Sequence, residues 1–460
     1  MPADPASALA LWGSADLPGF GHQLLARVFE AQLGHRLPGW RIGHLAPLGW
    51  NRPLGTDGGL VVEPLGDYHD VRTARIAAEY QLSVFVPAFP LGAELHTYYG
   101  PGDARRFYTE GLTAHPLLAS AVRLAEPVPP KLAALLAEEQ HVSTRDTRSA
   151  ESLAEHGVRA DVVPHPGLLA GSLVDAAALT QRQKVLRKLD ALPEEGAYLV
   201  LQASSEAIAD LDRLATAVGH AAKHVGADHI VLLPDRAPSD EPPWCQSVPA
   251  DLVFEDRLAV LAGATAVIAT DEHAAAACAG LGCSWVLWDP AGAHRGPVEL
   301  FAAPQRIVDG MAPLANVFAD ELAREDLAAA RGALCAEFDA VAELAESVFA
   351  ERGGNPVRRN AELAAENAAL RAAHHRLRRR MHAERQLLME QLVEAGGGGS
   401  RELRAELDHE RELHAALADR HNTTVAERDA CRRELEALRS TKLYRWSTPL
   451  RALYGKFGRR

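Results

Sequence analysis

Short apolar runs alternate with amphipathic stretches along the first half of the chain. The apolar runs, bounded by Gly, Pro and Ser, predict strands, and apolar positions spaced three and four apart predict helices. The predicted strands are 59–62, 83–86, 141–144 and 161–163. The predicted helices are 22–33, 130–139, 149–155 and 180–189. This alternation is typical of an open α/β sheet.

The second half repeats the same pattern. Its predicted strands are 197–202, 229–233, 265–269 and 284–288, and its predicted helices are 206–224, 257–262 and 273–280. Strands that alternate with helices pair in parallel, because a parallel pair needs a crossover connection. We therefore expect an α/β fold with two Rossmann-like domains, 1–192 and 193–354. Ligands should bind in the cleft between them, where the carboxyl ends of both sheets meet.

Beyond residue 354 the composition changes to Ala, Glu, Arg and Leu, with no strand signal. Leu363, Leu370 and Leu377 recur every seven residues, and Asn367 lies between them on the same seam. This register predicts a coiled coil over 355–395, through which the chain would associate with itself. A long solvated single helix is the alternative. A Gly-rich linker, 396–400, then leads to a second helix or coiled coil, 401–440.

The last twenty residues, 441–460, carry six basic side chains and no acidic one. Trp446, Leu450 and Phe457 are among the apolar residues that alternate with these charges at roughly helical spacing. A basic face opposite an apolar stripe predicts attachment to an anionic membrane surface. The alternatives are a disordered basic tail, or one that docks on the acidic remainder of the chain.

Composition narrows the classes of function. The 460 residues are 47 % hydrophobic and carry a formal net charge of −13, which disfavours a general nucleic-acid binder. The five cysteines form no CxxC pair, so neither a zinc site nor a disulfide framework is expected, and a reducing compartment fits best. With no secretory signal and no long apolar run, we expect a cytoplasmic protein that is peripheral at the inner face of the membrane.

Several polar residues follow predicted strands in the second half. His273 lies just after strand 265–269, where a histidine and the amides of a helix N-terminus can hold an anion together, and Thr270 lies beside it. A helix-capping segment, Thr270-Asp271, with His273 merely exposed, is the equal alternative. As a catalytic residue, His273 would lie on the rim of the cleft. His294 and Arg295 follow the next strand and form a candidate clamp for a carboxylate or phosphate, or else a surface turn.

The first half offers weaker candidates. Gly21 and His22 form part of a Gly-rich entry to the first predicted helix, and Arg145 and His165 each follow a predicted strand. Their positions direct them toward the proposed cleft, on the side of the acceptor. For Arg145, a structural salt bridge is the more common role.

Two segments resemble the polysaccharide pyruvyl transferase family. In 141–169, Arg145-Asp146, then Ser149, then His165-Pro166 are similar to the family's strand ending in Arg-Asp, a following Ser, and a second strand closed by Asp-Pro. The stretch 256–282, which contains His273, resembles the family's Ser-x-x-His region. The likeness covers residues 11–349.

The resemblance implies two Rossmann-like domains similar to the GT-B glycosyltransferases. It also implies transfer of pyruvyl from phosphoenolpyruvate onto a pair of sugar hydroxyls as a ketal, with no further cofactor. His273 would be the catalytic and donor-binding histidine. His294, Arg295 and Thr270 would bind the donor, and His22, Gly21, Arg145 and His165 would lie on the acceptor side.

The chain departs from the family pattern at several of these positions. His22 and His165 stand where the family has Asp, and Asp271-Glu272 precede His273 where the family has no acid. Three hypotheses remain open. The first is a pyruvyl transferase that acts on a lipid-linked or growing glycan. The second is a catalytically inactive glycan-binding or scaffold protein of an envelope polysaccharide assembly complex. The third is a GT-B glycosyltransferase with a nucleotide-sugar donor.

Overall fold

The structure is a computed structural model of the chain. It describes residues 7–17, 19–46, 62–64, 80, 82–86, 88–92, 117–139, 141–204, 207–235, 238, 242–250, 252–319, 322 and 326–351. The coiled coils, the linker and the basic tail predicted for 355–460 lie outside these residues and stay predictions. Within the described part, no helix is both long and apolar enough to cross a membrane.

The first sheet has seven parallel strands in the order β3-β2-β1-β4-β5-β6-β7. They are β1 Ala8–Trp12, β2 Arg41–Ala46, β3 Val62–Pro64, β4 Leu82–Phe85, β5 Leu117–Val122, β6 Val142–Thr144 and β7 Asp161–Val162. The strand order reverses between β1 and β4, so the crevice at which such sheets bind ligands lies at the carboxyl ends of these two strands.

The second sheet has six parallel strands in the order β10-β9-β8-β11-β12-β13. They are β8 Tyr198–Ala203, β9 His229–Pro234, β10 Gln246–Ser247, β11 Ala266–Ala269, β12 Trp285–Trp288 and β13 Ile307–Val308. The order reverses between β8 and β11. Both halves therefore have the Rossmann-type order, which confirms the predicted α/β fold class.

Helices connect the strands as the crossover rule requires. They are α1 Phe20–Arg36, α2 Pro130–Leu136, α3 Thr147–Glu155, α4 Ala176–Lys188, α5 Leu211–His224, α6 Phe254–Ala262, α7 Glu272–Leu281, α8 Arg295–Glu299, α9 Met311–Asn316 and α10 Ala328–Glu351. The helices and strands predicted from the sequence are confirmed to within a few residues at each end, save that only Val62 of the predicted strand 59–62 is described. The strands β1, β2, β5, β10 and β13 and the helices α8, α9 and α10 were not predicted.

A continuous apolar core joins the two halves. Phe20 of α1 stacks on Phe254 of α6, with ring centroids 5.6 Å apart. Helix α7 packs closely on the 3-10 turn Pro166–Ser172, where Gly280 and Gly171 leave no room for a side chain. These contacts bury the inner ends of both sheets, so the carboxyl ends of their strands face each other across a packed interface.

The last described helix, α10, lies against the first half of the chain. Phe338 packs edge-on against Phe29 of α1 with ring centroids 4.9 Å apart, and Asp339 accepts a 2.6 Å hydrogen bond from Arg36. Helix α10 falls within the predicted range 193–354 by sequence, yet its packing partners come from the first sheet and α1. It therefore ties the two halves together.

Candidate functional site

An irregularity in β5 fixes one arginine at the edge of the first sheet. Ala121 has a φ of 49°, and the register between β5 and β6 shifts next to it. Its displaced N–H donates to Ser143 Oγ at 2.8 Å, and its carbonyl accepts from Arg145 Nη1 at 3.0 Å. Arg145 is fully buried, and Nη2 donates to the Ala88 carbonyl at 2.6 Å. Burial lowers the pKa of Arg145 to about 10, so the guanidinium stays charged at neutral pH.

Two histidines form a directed hydrogen-bond chain next to Arg145. The Gly167 N–H donates to His165 Nδ1 at 2.9 Å, so Nδ1 is the acceptor and Nε2 carries the proton. His165 Nε2 then donates to His273 Nδ1 at 2.8 Å. The remaining proton of His273, on Nε2, is donated to the Ala88 carbonyl at 3.0 Å. The tautomer of His273 is thereby set by His165.

Both histidines of this chain are neutral. Burial, reinforced by the charge of Arg145, lowers the pKa of His165 to about 3. Burial also lowers the pKa of His273 well below its usual value, against the opposing charge of Glu272. His273 Nε2 and Arg145 Nη2 therefore donate to the same oxygen, the carbonyl of Ala88, from opposite halves of the chain.

The N-terminus of α7 is closed by a side chain of its own. Asp271 Oδ1 accepts from the Ala274 N–H at 2.8 Å, and Oδ2 accepts from Gln202 Nε2 at 2.9 Å. Thr270 Oγ1 accepts from the Ser204 N–H at 2.8 Å, which joins the carboxyl ends of β8 and β11. The amide of Ala274 in the first turn of the helix is thus already capped, and Thr270 has a structural bond.

Glu272, the first residue of α7, crosses to the other half of the chain. Its two carboxylate oxygens each accept a 3.1 Å hydrogen bond from Arg123 Nη1, and Oε1 lies 3.5 Å from Arg145 Nη2. His294 Nδ1 contacts Oε2, and His273 Nε2 lies 3.9 Å from Oε1. Burial alone would raise the pKa of Glu272, but the charges of Arg123 and His294 outweigh it and hold that pKa well below its usual value.

The entry to α1 lies against this cluster. A Cβ placed on Gly21 would overlap the ring of His273, so only glycine fits there. His22 Nδ1 lies 2.5 Å from Ser14 Oγ, and burial lowers the pKa of His22 to about 4. A cavity of about 10 Å³ lies beside these two residues, close to the smallest volume that holds a water molecule.

The structure brings together most of the residues predicted for the site. Arg295 is apart from the others: its side chain is 46 % exposed and its Nε lies 3.5 Å from Glu299 Oε1 on its own helix. Its role as the anion contact stays a prediction. The residues that meet at the interface of the two halves are Gly21, Arg145, His165, His273 and His294.

The expectation that His273 is exposed on the rim of a cleft is wrong. Only 9 % of its surface is accessible, because α7 packs into the interface and the ring lies between His165 and Gly21. Arg123 and Glu272 are the site residues that the sequence analysis did not select. Arg123 directly follows β5, and the strand-end rule would have selected it had β5 been recognised.

Within the described residues, no group of His, Cys, Asp and Glu side chains is arranged to hold a metal ion. The cluster itself combines carboxylates, neutral histidines and arginines. It can bind a small anion between the arginines and move a proton through His273.

Comparisons with known proteins give the fold alone. No family model matches the chain, and no curated protein matches it. Among solved structures, the UDP-GlcNAc 2-epimerase from Methanocaldococcus jannaschii is similar with a TM-score of 0.50 and 8 % identity, over 74 % of this chain and 99 % of that one. The UDP-GlcNAc 2-epimerase from Neisseria meningitidis bound to UDP-GlcNAc is similar with a TM-score of 0.43 and 8 % identity, over 73 % of this chain and 94 % of that one. The E. coli ADP-heptose LPS heptosyltransferase II is similar with a TM-score of 0.38 and 12 % identity, over 74 % of this chain and 99 % of that one.

At this level of identity the likeness concerns the arrangement of the two sheets. The chain has the two-domain GT-B-like architecture, in which each half is a parallel Rossmann-like sheet.

Proposed function

We propose that this chain is a transferase that acts on a glycan, and that it transfers pyruvyl from phosphoenolpyruvate to a pair of sugar hydroxyls as a ketal. The observation that carries the proposal is the convergence of two donors on one oxygen. His273 Nε2 and Arg145 Nη2, from opposite halves of the chain, both donate to the Ala88 carbonyl. When the halves separate, His273 Nε2 leaves this carbonyl and becomes available to an oxygen atom of the donor substrate, whereas Arg145 stays in the first half.

His165 acts in this scheme as a positioning residue. In the closed interface it keeps His273 neutral with the proton on Nε2, and the second proton that makes His273 an acid can enter at Nδ1 once the halves separate and the bond from His165 opens. The pKa of His273 is low because burial and the neighbouring Arg145 disfavour its charge, and the carboxylate of Glu272 opposes this. A phosphoenolpyruvate molecule would bring further negative charge, so its binding would raise the pKa of His273 toward protonation.

The reaction balances with groups that the substrates supply. A protonated His273 gives its proton to the methylene carbon of phosphoenolpyruvate, which becomes the methyl group. Two sugar hydroxyls then form two C–O bonds to the adjacent carbon as its bond to the phosphate oxygen breaks. One hydroxyl proton leaves on the released hydrogen phosphate and the other returns to His273. Arg123 and Arg145 would stabilise the donor's carboxylate and the leaving phosphate.

A catalytically inactive glycan-binding or scaffold protein is the second candidate, and a specific observation favours it. The hydrogen-bonding groups that a donor would use are already occupied by the chain itself: His273 by Ala88, the arginines by Glu272, and the Ala274 amide of α7 by Asp271. A protein that needs this interface only for stability would look the same. Turnover therefore separates the two candidates.

The decisive experiment follows phosphate release and ketal formation by ³¹P and ¹H NMR, with the full chain, phosphoenolpyruvate and envelope oligosaccharides. We expect a new methyl singlet and one phosphate for each ketal. His273→Gln should abolish both signals, and His220→Gln, at an exposed position on α5, should leave them unchanged. Glycan binding without turnover on any acceptor would favour the scaffold, and turnover of a nucleotide sugar instead would refute pyruvyl transfer.

We also propose where the protein works. The basic segment 441–460 would hold it at the anionic inner face of the cytoplasmic membrane, and the segment 355–395 would join copies of the chain. A lipid-linked or growing glycan would then be the acceptor that this location supplies.

A further inference from the structure

The carboxylate of Glu272 has the surroundings of a bound ligand. It is 1 % exposed, and its contacts are with cationic or donor side chains from three different segments: Arg123, Arg145 and His294. Arg123 and Arg145 lie in the first half of the chain, whereas Glu272 and His294 lie in the second. A buried carboxylate among several cations is also what a small anionic substrate would present to the same groups.

The cationic groups are held in place without Glu272. Arg145 donates to the carbonyls of Ala88 and Ala121, and Arg123 also donates to the Ala293 carbonyl. The loop that carries His294 is fixed because Asp289 accepts from the Ala293 and His294 N–H groups at 2.9 and 2.8 Å. The pocket would therefore keep its shape if the Glu272 carboxylate left it.

The other carboxylates near this pocket are committed elsewhere. Asp146 accepts from the N–H and the hydroxyl of Ser149 at 2.7 Å, Asp271 caps α7, and Asp289 holds the loop 289–294. Glu272 is thus the carboxylate that neutralises the arginines directly. Without it, the two guanidinium groups would lose a carboxylate that lies 3.1 Å from Arg123 and 3.5 Å from Arg145 in a largely buried place, which is costly unless another anion enters.

We propose that Arg123, Arg145 and His294 form an anion-binding pocket which Glu272 fills when no ligand is present, and that a small carboxylate- or phosphate-bearing molecule binds there by displacing Glu272. Entry is available from one side, because the Arg123 and His294 side chains are 17 % and 26 % exposed while Arg145 and Glu272 are buried. Since Glu272 bridges the two halves, its displacement also loosens the interface. The inference rests on the proposed function only for the identity of the natural anion.

The test measures binding to the full chain, not turnover. Glu272→Gln removes the charge at nearly constant shape, and Glu272→Ala also frees the volume. Calorimetry and thermal shift at constant ionic strength would compare inorganic phosphate, acetate and phosphoenolpyruvate. We expect at least a tenfold lower Kd for one or more of these anions in the two variants than in the parent chain. Preference for phosphate over acetate, or the reverse, identifies the chemical group that the pocket selects.

A matched control exists in a second Arg–Glu pair. Glu255 lies 3.5 Å from Arg27, and the two side chains are 17 % and 16 % exposed, away from the pocket. Glu255→Gln should gain no affinity for the three anions. An equal gain in Glu255→Gln would overturn the inference, because it would show that any arginine deprived of its glutamate binds anions in this way. If the Glu272 variants do not fold, the parent chain is compared with Arg123→Gln instead. Phosphoenolpyruvate binding should be at least tenfold weaker in Arg123→Gln, and unchanged binding would overturn the proposed pocket.

The outcomes for binding and for reaction are separable. If the Glu272 variants gain affinity but no ketal ever forms, the anion-binding pocket is supported and pyruvyl transfer is refuted. If the ketal forms but the Glu272 variants gain no affinity for any anion, pyruvyl transfer is supported and the anion-binding pocket is refuted.

Discussion

Neutralising Glu337 should weaken the attachment of α10 to the first sheet. Glu337 is 6 % exposed, and its Oε1 accepts from Ser120 Oγ at 2.5 Å, Ser143 Oγ at 2.6 Å and His141 Nε2 at 2.9 Å. In Glu337→Gln these three bonds lose their charge assistance, which is worth about 1 kcal/mol for each bond. Part of this loss is offset because a neutral amide costs less to bury. We expect a net destabilisation of about 2 kcal/mol.

The same pair makes stability depend on pH. Burial alone would lower the pKa of His141, but the hydrogen bond and charge of Glu337 raise it. The contribution of His141 to the free energy of unfolding is therefore complete below about pH 6.5, and it is lost as the pH rises through the pKa of His141 in the folded protein. Burial alone would raise the pKa of Glu337, but His141 and the serines lower it, so its contribution is lost as the pH falls below about 4.5. Stability from this pair is therefore greatest between these two limits.

The assay combines urea unfolding at pH 6 and pH 9 with amide hydrogen exchange. Glu337→Gln should unfold at a lower urea concentration than the parent chain, and its stability should fall less between pH 6 and pH 9. Its amide exchange should accelerate more in β5, β6 and α10 than in β11. Glu343→Gln, at an exposed position of the same helix, is the control and should behave like the parent. If the two variants show equal stability and equal exchange, the buried cluster does not hold α10.

Three further predictions concern other parts of the chain. Gly21→Ala should destabilise the protein by about 1–3 kcal/mol in thermal melts, since its Cβ would overlap His273, whereas Gly219→Ala, which has open space, should be neutral or slightly stabilising. A peptide of 355–395 should be a dimer or higher oligomer in light scattering, and a monomer would contradict the coiled coil. The full chain should float with anionic liposomes and be released at high salt, and binding that survives deletion of 442–460 would place the membrane contact elsewhere.

The sequence predicts the fold well where strands are apolar and clearly bounded. β8, β9, β11 and β12 are short runs rich in Val, Leu, Ile and Trp between turn residues, and each was found at the predicted place. β5 was missed because its residues, Leu-Leu-Ala-Ser-Ala-Val, are as compatible with a helix as with a strand. Its irregular register and the positive φ at Ala121 come from contacts with β6 that no local pattern encodes.

Missing β5 also hid part of the site. The strand-end rule selected Arg145, His165, His273 and His294, which the fold does bring to one interface. Arg123 was passed over because the strand before it was not recognised. That Glu272, and not Arg295, occupies the centre of the cluster depends on how the two halves close on each other. Such long-range pairing depends on tertiary packing, which residue spacing does not reveal.

Calorimetric titration of the full chain with phosphoenolpyruvate tests the proposed site most directly, beside the same titration of Glu272→Gln and of Arg123→Gln. We predict binding at one site per chain, strengthened at least tenfold in Glu272→Gln and weakened at least tenfold in Arg123→Gln. Absence of binding in both the parent chain and Glu272→Gln, with each shown to be folded, would contradict an anion site between Arg123, Arg145 and His294.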